Sequence, residues 1–130
     1  RIAGNIINPE IIGSLEIAVK ELGAKLIVVK GHSKCGAIAL SLANVMDENI
    51  YNITSKIQKV AREAGCYPKT ENANENQVME KVTKLNAQNS VKEILDQSPY
   101  LKSRIAKKEI GIVSAYHNIA TGKVYFEDLI

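Results

Sequence analysis

A histidine and a cysteine three residues apart, His32 and Cys35, are the residues of this sequence best placed to do chemistry. They lie in Gly31-His32-Ser33-Lys34-Cys35-Gly36, just after the apolar run Leu26-Ile27-Val28-Val29. An imidazole nitrogen and a thiolate sulfur together suit Zn²⁺. The same two residue types also make a cysteine nucleophile with a histidine base. A buried thiol near a structural histidine is the third reading, and it needs no function. Spacing leaves all three open, because a protein-held zinc needs about three protein donors and only two are adjacent here. The second cysteine, Cys66, falls in Gly65-Cys66-Tyr67-Pro68 and reads as a loop or buried thiol. His117 follows an apolar run and reads as a surface histidine, with proton transfer as its alternative use.

The elements around the pair place it at a strand end. Residues 25–30 are a compact β-branched run between lysines, ending at Gly31. Four consecutive apolar residues predict a strand buried on both faces, as in a parallel sheet covered by helices. Beyond it, residues 35–45 read as a helix of small residues, so Cys35 would sit near the positive end of that helix. In open parallel α/β sheets, ligands bind at the carboxyl edge of the strands. The two glycines, Gly31 and Gly36, suit a sharp turn and close packing.

Upstream, Asn8-Pro9-Glu10 is a helix start: a capping side chain, proline in the first turn, then an acid. Gly13 weakens that turn and allows a start at Ser14. Ile11, Leu15, Ala18, Val19 and Leu22 share one face, and Gly23 stops the helix. Downstream, residues 50–64 place Ile50, Ile53, Ile57, Val60, Ala61 and Ala64 on one side. Residues 72–97 are a long amphipathic pattern ending at Ser98-Pro99, with a short helix over 100–106. Residues 110–116 are a second strand, Thr121-Gly122 is a turn, and residues 123–127 are an edge strand. The expected fold is one α/β domain over 1–130, with a mainly parallel central sheet and helices on both faces.

Composition narrows the function classes. The chain has 130 residues, 45% apolar and 24% charged, which suits one globular domain rather than a disordered segment. Net charge is +3, and the 17 basic residues are dispersed rather than clustered, so no nucleic-acid footprint is expected. No apolar run approaches the ~20 residues of a membrane span. Two cysteines do not make a secreted disulfide framework, so a reducing, cytoplasmic setting is the expectation. A chain that opens on Arg1 without Met is expected to be a piece of a longer protein.

Three segments in order resemble the β-class carbonic anhydrases. They are Arg1-Ile2-Ala3-Gly4-Asn5, Ser14-Leu15-Glu16-Ile17-Ala18-Val19 and Gly31-His32-Ser33-Lys34-Cys35-Gly36. The family patterns are Arg-Asn-Ala-Gly-Asn, Ser-Leu-Glu-Tyr-Ala-Val and Gly-His-x-x-Cys-Gly. Ile2 and Ile17 depart from them. The tail, Gly111-Ile112-Val113-Ser114-Ala115-Tyr116 followed by Thr121-Gly122-Lys123-Val124, is similar to the family's last core strand and its ending.

The resemblance implies a Zn²⁺ enzyme that hydrates carbon dioxide to bicarbonate, with His32 and Cys35 as two of three zinc ligands. Zinc lowers the pKa of a bound water from about 15.7 to about 7, which supplies a nucleophile at neutral pH. The family's remaining cysteine, and its catalytic aspartate and arginine, belong to a Cys-x-Asp-x-Arg motif that would lie upstream of Arg1, so no catalytic residue is expected within the chain. Gly4 and Asn5 are expected to shape the pocket floor. Arg1 and Tyr116 match positions that hold a regulatory bicarbonate in some members, but their default reading is structural. The resemblance also implies a homodimer or tetramer. Two other functions fit the same residues: a non-catalytic domain fused to a partner such as a membrane anion transporter, and a hydrolase of carbon disulfide or carbonyl sulfide.

Overall fold

The computed structural model describes residues 1–70 and 72–130. A turn of 3₁₀ helix over Ala3–Asn5 leads into α1 (Pro9–Lys20), β1 (Leu26–His32) and α2 (Gly36–Leu42). After a second 3₁₀ turn come α3 (Tyr51–Glu63), α4 (Glu75–Gln97), α5 (Pro99–Ala106), β2 (Gly111–His117) and β3 (Val124–Phe126). The sheet order is β1-β2-β3. The first pair is parallel over seven residues, from Leu26 opposite Gly111 to His32 opposite His117. The second pair is antiparallel and short, from Ala115 opposite Phe126 to His117 opposite Val124. The fold is therefore α/β, with a small mixed sheet whose longer pairing is parallel.

Local chemistry sets the element ends. The Asn8 carboxamide oxygen accepts the Ile11 N–H at 2.8 Å, with Pro9 in the first turn, so α1 begins at Pro9 rather than Ser14. Gly13 is retained inside the helix. The same device starts α4, where Asn74 caps Gln77 at 3.2 Å, and α5, where the Ser98 hydroxyl accepts the Leu101 N–H at 3.1 Å. Leu22, expected on the buried face of α1, is exposed, because the helix has already ended at Lys20.

The strand expected to be buried on both faces is buried on one. Ile27 and Val29 are buried, whereas Leu26 and Val28 are 51% and 43% exposed. Ile27, Val29 and Ile112 form one apolar core with Ile12 and Val19 of α1, Val91 and Ile94 of α4, and Leu101 and Ile105 of α5. The helices named here thus cover one side of β1, not both, and an uninterrupted apolar run does not reveal that difference. A second core joins Ile38 of α2, Ile57 and Ala61 of α3 and Val82 of α4 with Ile6, Cys35 and Cys66. Cys35 therefore stands between the sheet edge and this second core.

Candidate metal centre

β1 runs one residue past the expected end at Gly31, so His32 is its last residue and pairs with His117 of β2. Gly31 is required for contact rather than for a turn. A Cβ there would lie 2.6 Å from Thr83 Cγ2 and 3.2 Å from the Thr83 carbonyl oxygen, so its absence lets α4 lie against the strand just before His32. Gly36 meets nothing within 4 Å, and the expectation that it serves close packing is not met. The chain reverses through Ser33 and Lys34, where Lys34 has φ 54°, an uncommon left-handed conformation for a residue with a side chain. Cys35 follows as the N-cap of α2.

His32 is half-buried, and its Nδ1 lies 2.9 Å from the Ser33 carbonyl oxygen. A carbonyl only accepts, so Nδ1 carries the proton in this hydrogen bond and Nε2 of the neutral ring keeps its lone pair. That is the arrangement found in metal-binding histidines, where the far ring nitrogen is tied to an acceptor. Cys35 is buried, 7% exposed. One free imidazole nitrogen and one thiol at the same strand end fit Zn²⁺ as two of the about three protein donors it takes. Among the described residues, no group of three histidine, cysteine, aspartate or glutamate side chains is gathered for a metal.

Cys66 does not complete the set. Its Sγ is 3.6 Å from the Ala64 carbonyl oxygen, and it lines an open cleft of about 380 Å³ with Lys69, Lys81 and residues before and within the first turn of α4. Neither His32 nor Cys35 lines that cleft. His117 is half-buried at the end of β2, beside His32 in register, with Nδ1 3.4 Å from Lys30 Nζ. Pairing across the strands is a fact of register that sequence reading did not reach.

Gly4 and Asn5, expected at the pocket floor, pack against α2, α3 and α4. Gly4 has φ 64°, and a Cβ there would be 2.5 Å from Ile57 Cδ1 and 3.3 Å from Ala37 Cβ, in the first turn of α2. Asn86 Nδ2 donates to the Gly4 carbonyl at 2.7 Å, and Asn5 Nδ2 donates to Ser90 Oγ at 3.1 Å. Asn86 and Ser90 are buried polar residues of α4 that the amphipathic pattern over 72–97 does not single out. Their four-residue spacing in line with Val82 and Ile94 was the available signal. Arg1 is exposed, while Tyr116 is buried and stacks on Tyr125 with ring centroids 6.5 Å apart. Burial pushes the Tyr116 phenol up, the Glu80 carboxylate adds to this, and the Lys84 ammonium, 5.0 Å from the ring centroid, opposes it.

The family model for carbonic anhydrase matches residues 1–124. The chain belongs to the carbonic anhydrase family. The "Carbonic anhydrase 2" of Mycobacterium tuberculosis is 47% identical over 47 residues, which is 36% of this chain and 23% of that protein. A carbonic anhydrase of Mycolicibacterium smegmatis is 46% identical over 48 residues, 37% of this chain and 23% of that protein. Among solved structures, a β-carbonic anhydrase of Sordaria macrospora superposes with a TM-score of 0.84 at 22% identity, over 98% of this chain and 66% of that one. The Coccomyxa β-carbonic anhydrase, solved with acetazolamide, gives 0.81 at 22% identity, over 100% of this chain and 60% of that one. These likenesses show the β-class fold. The matches span less than two thirds of each relative's length.

Proposed function

We propose that this chain carries two of the zinc donors, His32 Nε2 and Cys35 Sγ, of a carbonic anhydrase that interconverts carbon dioxide and bicarbonate. The observation that carries the reading is the 2.9 Å hydrogen bond from His32 Nδ1 to the Ser33 carbonyl, which leaves Nε2 free at a strand end in a chain of this family. Bound zinc would bring the pKa of water down to about 7 and so make hydroxide available near neutrality. The reading needs a third donor and an acid–base pair in addition to these two residues.

The chain's own residues have separate tasks in this reading. Ser33 holds the imidazole by its carbonyl. The apolar neighbours of Cys35, Ile6 and Ile38 among them, keep water from the thiol side of the site. Gly31 and Gly4 allow α4 and α3 to approach closely enough to fix the strand end and the start of α2.

We extend the proposal to assembly as a homodimer or tetramer in the cytoplasm. Two observations support the assembly: the Sordaria proteins are described as tetrameric, and Leu26, Val28 and Phe126 share an exposed face of the sheet. No helix among the described residues is long and apolar enough to cross a membrane.

The test is stopped-flow hydration of carbon dioxide by the zinc-loaded protein, with carbonyl sulfide and carbon disulfide as competing substrates. Hydration that requires zinc and is lost in His32→Ala supports the reading. A zinc content near zero, or full zinc with only the uncatalysed rate, overturns it and leaves a non-catalytic domain. Preference for a sulfur substrate would instead assign a hydrolase.

A further inference from the structure

The carbonyl that holds His32 is itself held from the other strand. Ser33 N–H donates to the His117 carbonyl at 2.9 Å, which ties the residue to the end of β2. The Ser33 hydroxyl accepts the N–H of Ile119 at 2.9 Å, which ties it to the turn after β2. That turn is stiffened locally. The Asn118 side-chain oxygen accepts the N–H groups of Ala120 and Thr121 at 3.0 and 3.3 Å, and Gly122 N–H closes on the Asn118 carbonyl at 2.8 Å. On its other side, Ser33 is followed by Lys34 in the left-handed region, which limits how the intervening peptide rotates.

Three restraints therefore converge on one residue, on its N–H, its hydroxyl and the peptide that carries its carbonyl, and two of them come from residues 117–119. The direction of the Ser33 carbonyl fixes which ring nitrogen of His32 carries hydrogen and where the other points. A neutral imidazole has two tautomers, and only the one with hydrogen on Nδ1 offers Nε2 as a donor to a metal. We propose that Ser33 is a positioning residue whose hydroxyl links the turn after β2 to the His32 ring, so that the turn sets how Nε2 is presented. The inference rests on the reading of His32 as a metal ligand for its consequence, but not for its geometry. Any movement of residues 118–121 would then be felt at the metal without contact between them.

The experiment uses Ser33→Ala and Ser33→Thr in the intact chain. Nitrogen-15 correlation spectra of the metal-free protein read the tautomer of His32. Wild type and Ser33→Thr are expected to show the Nδ1–H form as dominant. Ser33→Ala is expected to mix the two forms, to speed hydrogen exchange at the Ile119 amide, and to weaken Zn²⁺ binding by about 10-fold. Backbone amide spectra that otherwise match wild type show that the variant is folded. An unchanged tautomer in folded Ser33→Ala overturns the inference. A changed tautomer in a protein that binds no Zn²⁺ in any form upholds the positioning role and overturns the metal reading instead.

Discussion

Cys35 and Cys66 are equally buried, each 7% exposed, and they belong to the same apolar core. Yet their surroundings differ in every respect that matters for chemistry. Cys35 follows a strand end whose last residue is an imidazole with a free nitrogen. Cys66 closes a helix, turns its sulfur toward the Ala64 carbonyl and has a lysine-lined cleft beside it. Burial therefore does not separate the proposed ligand from a packing thiol. What separates them is the strand edge and the neighbour it presents.

That contrast is broken most directly by metal content. In the zinc-loaded protein, Cys35→Ser is expected to reduce zinc from about one ion per chain to near zero, while Cys66→Ser keeps it. Elemental analysis after dialysis decides, and equal loss in both variants would erase the distinction. A smaller effect is expected from Gly31→Val, which forces side-chain atoms into Thr83 of α4. It should lower stability by about 1–3 kcal/mol in urea unfolding, as overpacking does. Next, Asn86→Ala removes the donor to the buried Gly4 carbonyl and is expected to cost about 1–2 kcal/mol. No change in the urea midpoint would show that the turn over Ala3–Asn5 needs no support from α4.

Alkaline pH tests the sheet edge further. The folded state holds the Tyr116 proton more tightly than the unfolded chain, first through burial and then through Glu80. Stability is thus intact below the ordinary tyrosine value of about 10 and falls as pH rises through the folded value. Lys84, raised chiefly by its hydrogen bond to Glu80, contributes in the same direction above about 10.5. Tyr116→Phe should flatten the decline above about pH 10 when base unfolding is followed by circular dichroism. An unaltered slope would remove Tyr116 from the account. The smallest effect belongs to Gly36→Ala, in open space at the start of α2, where a gain of about 0.5 kcal/mol is expected in thermal unfolding.

The sequence made much of this legible, for reasons that can be named. The Asn8-Pro9 start of α1, the apolar run of β1 and the proline-marked break before α5 are local signals, and the elements follow them. The nearness of His32 and Cys35 is legible because three residues of separation keep them at one place in any fold. What stayed hidden depends on partners distant in the chain. The one-sided burial of β1, the pairing of His32 with His117 and the clamp of Asn86 on Gly4 all join residues more than 80 positions apart or depend on which side the helices take. No periodicity within either segment encodes such a choice.

Ile130 is bound into the sheet. Ile130 N–H and carbonyl both pair with Ile112, at 2.9 and 3.0 Å, near the start of β2. His117 closes the same strand five residues later, a run of about 17 Å. A reporter group attached at Ile130 would therefore sit at the rim remote from the imidazoles. Such a label can be read out, or the protein tethered by it, with the rim that carries His32 and His117 left open to solution.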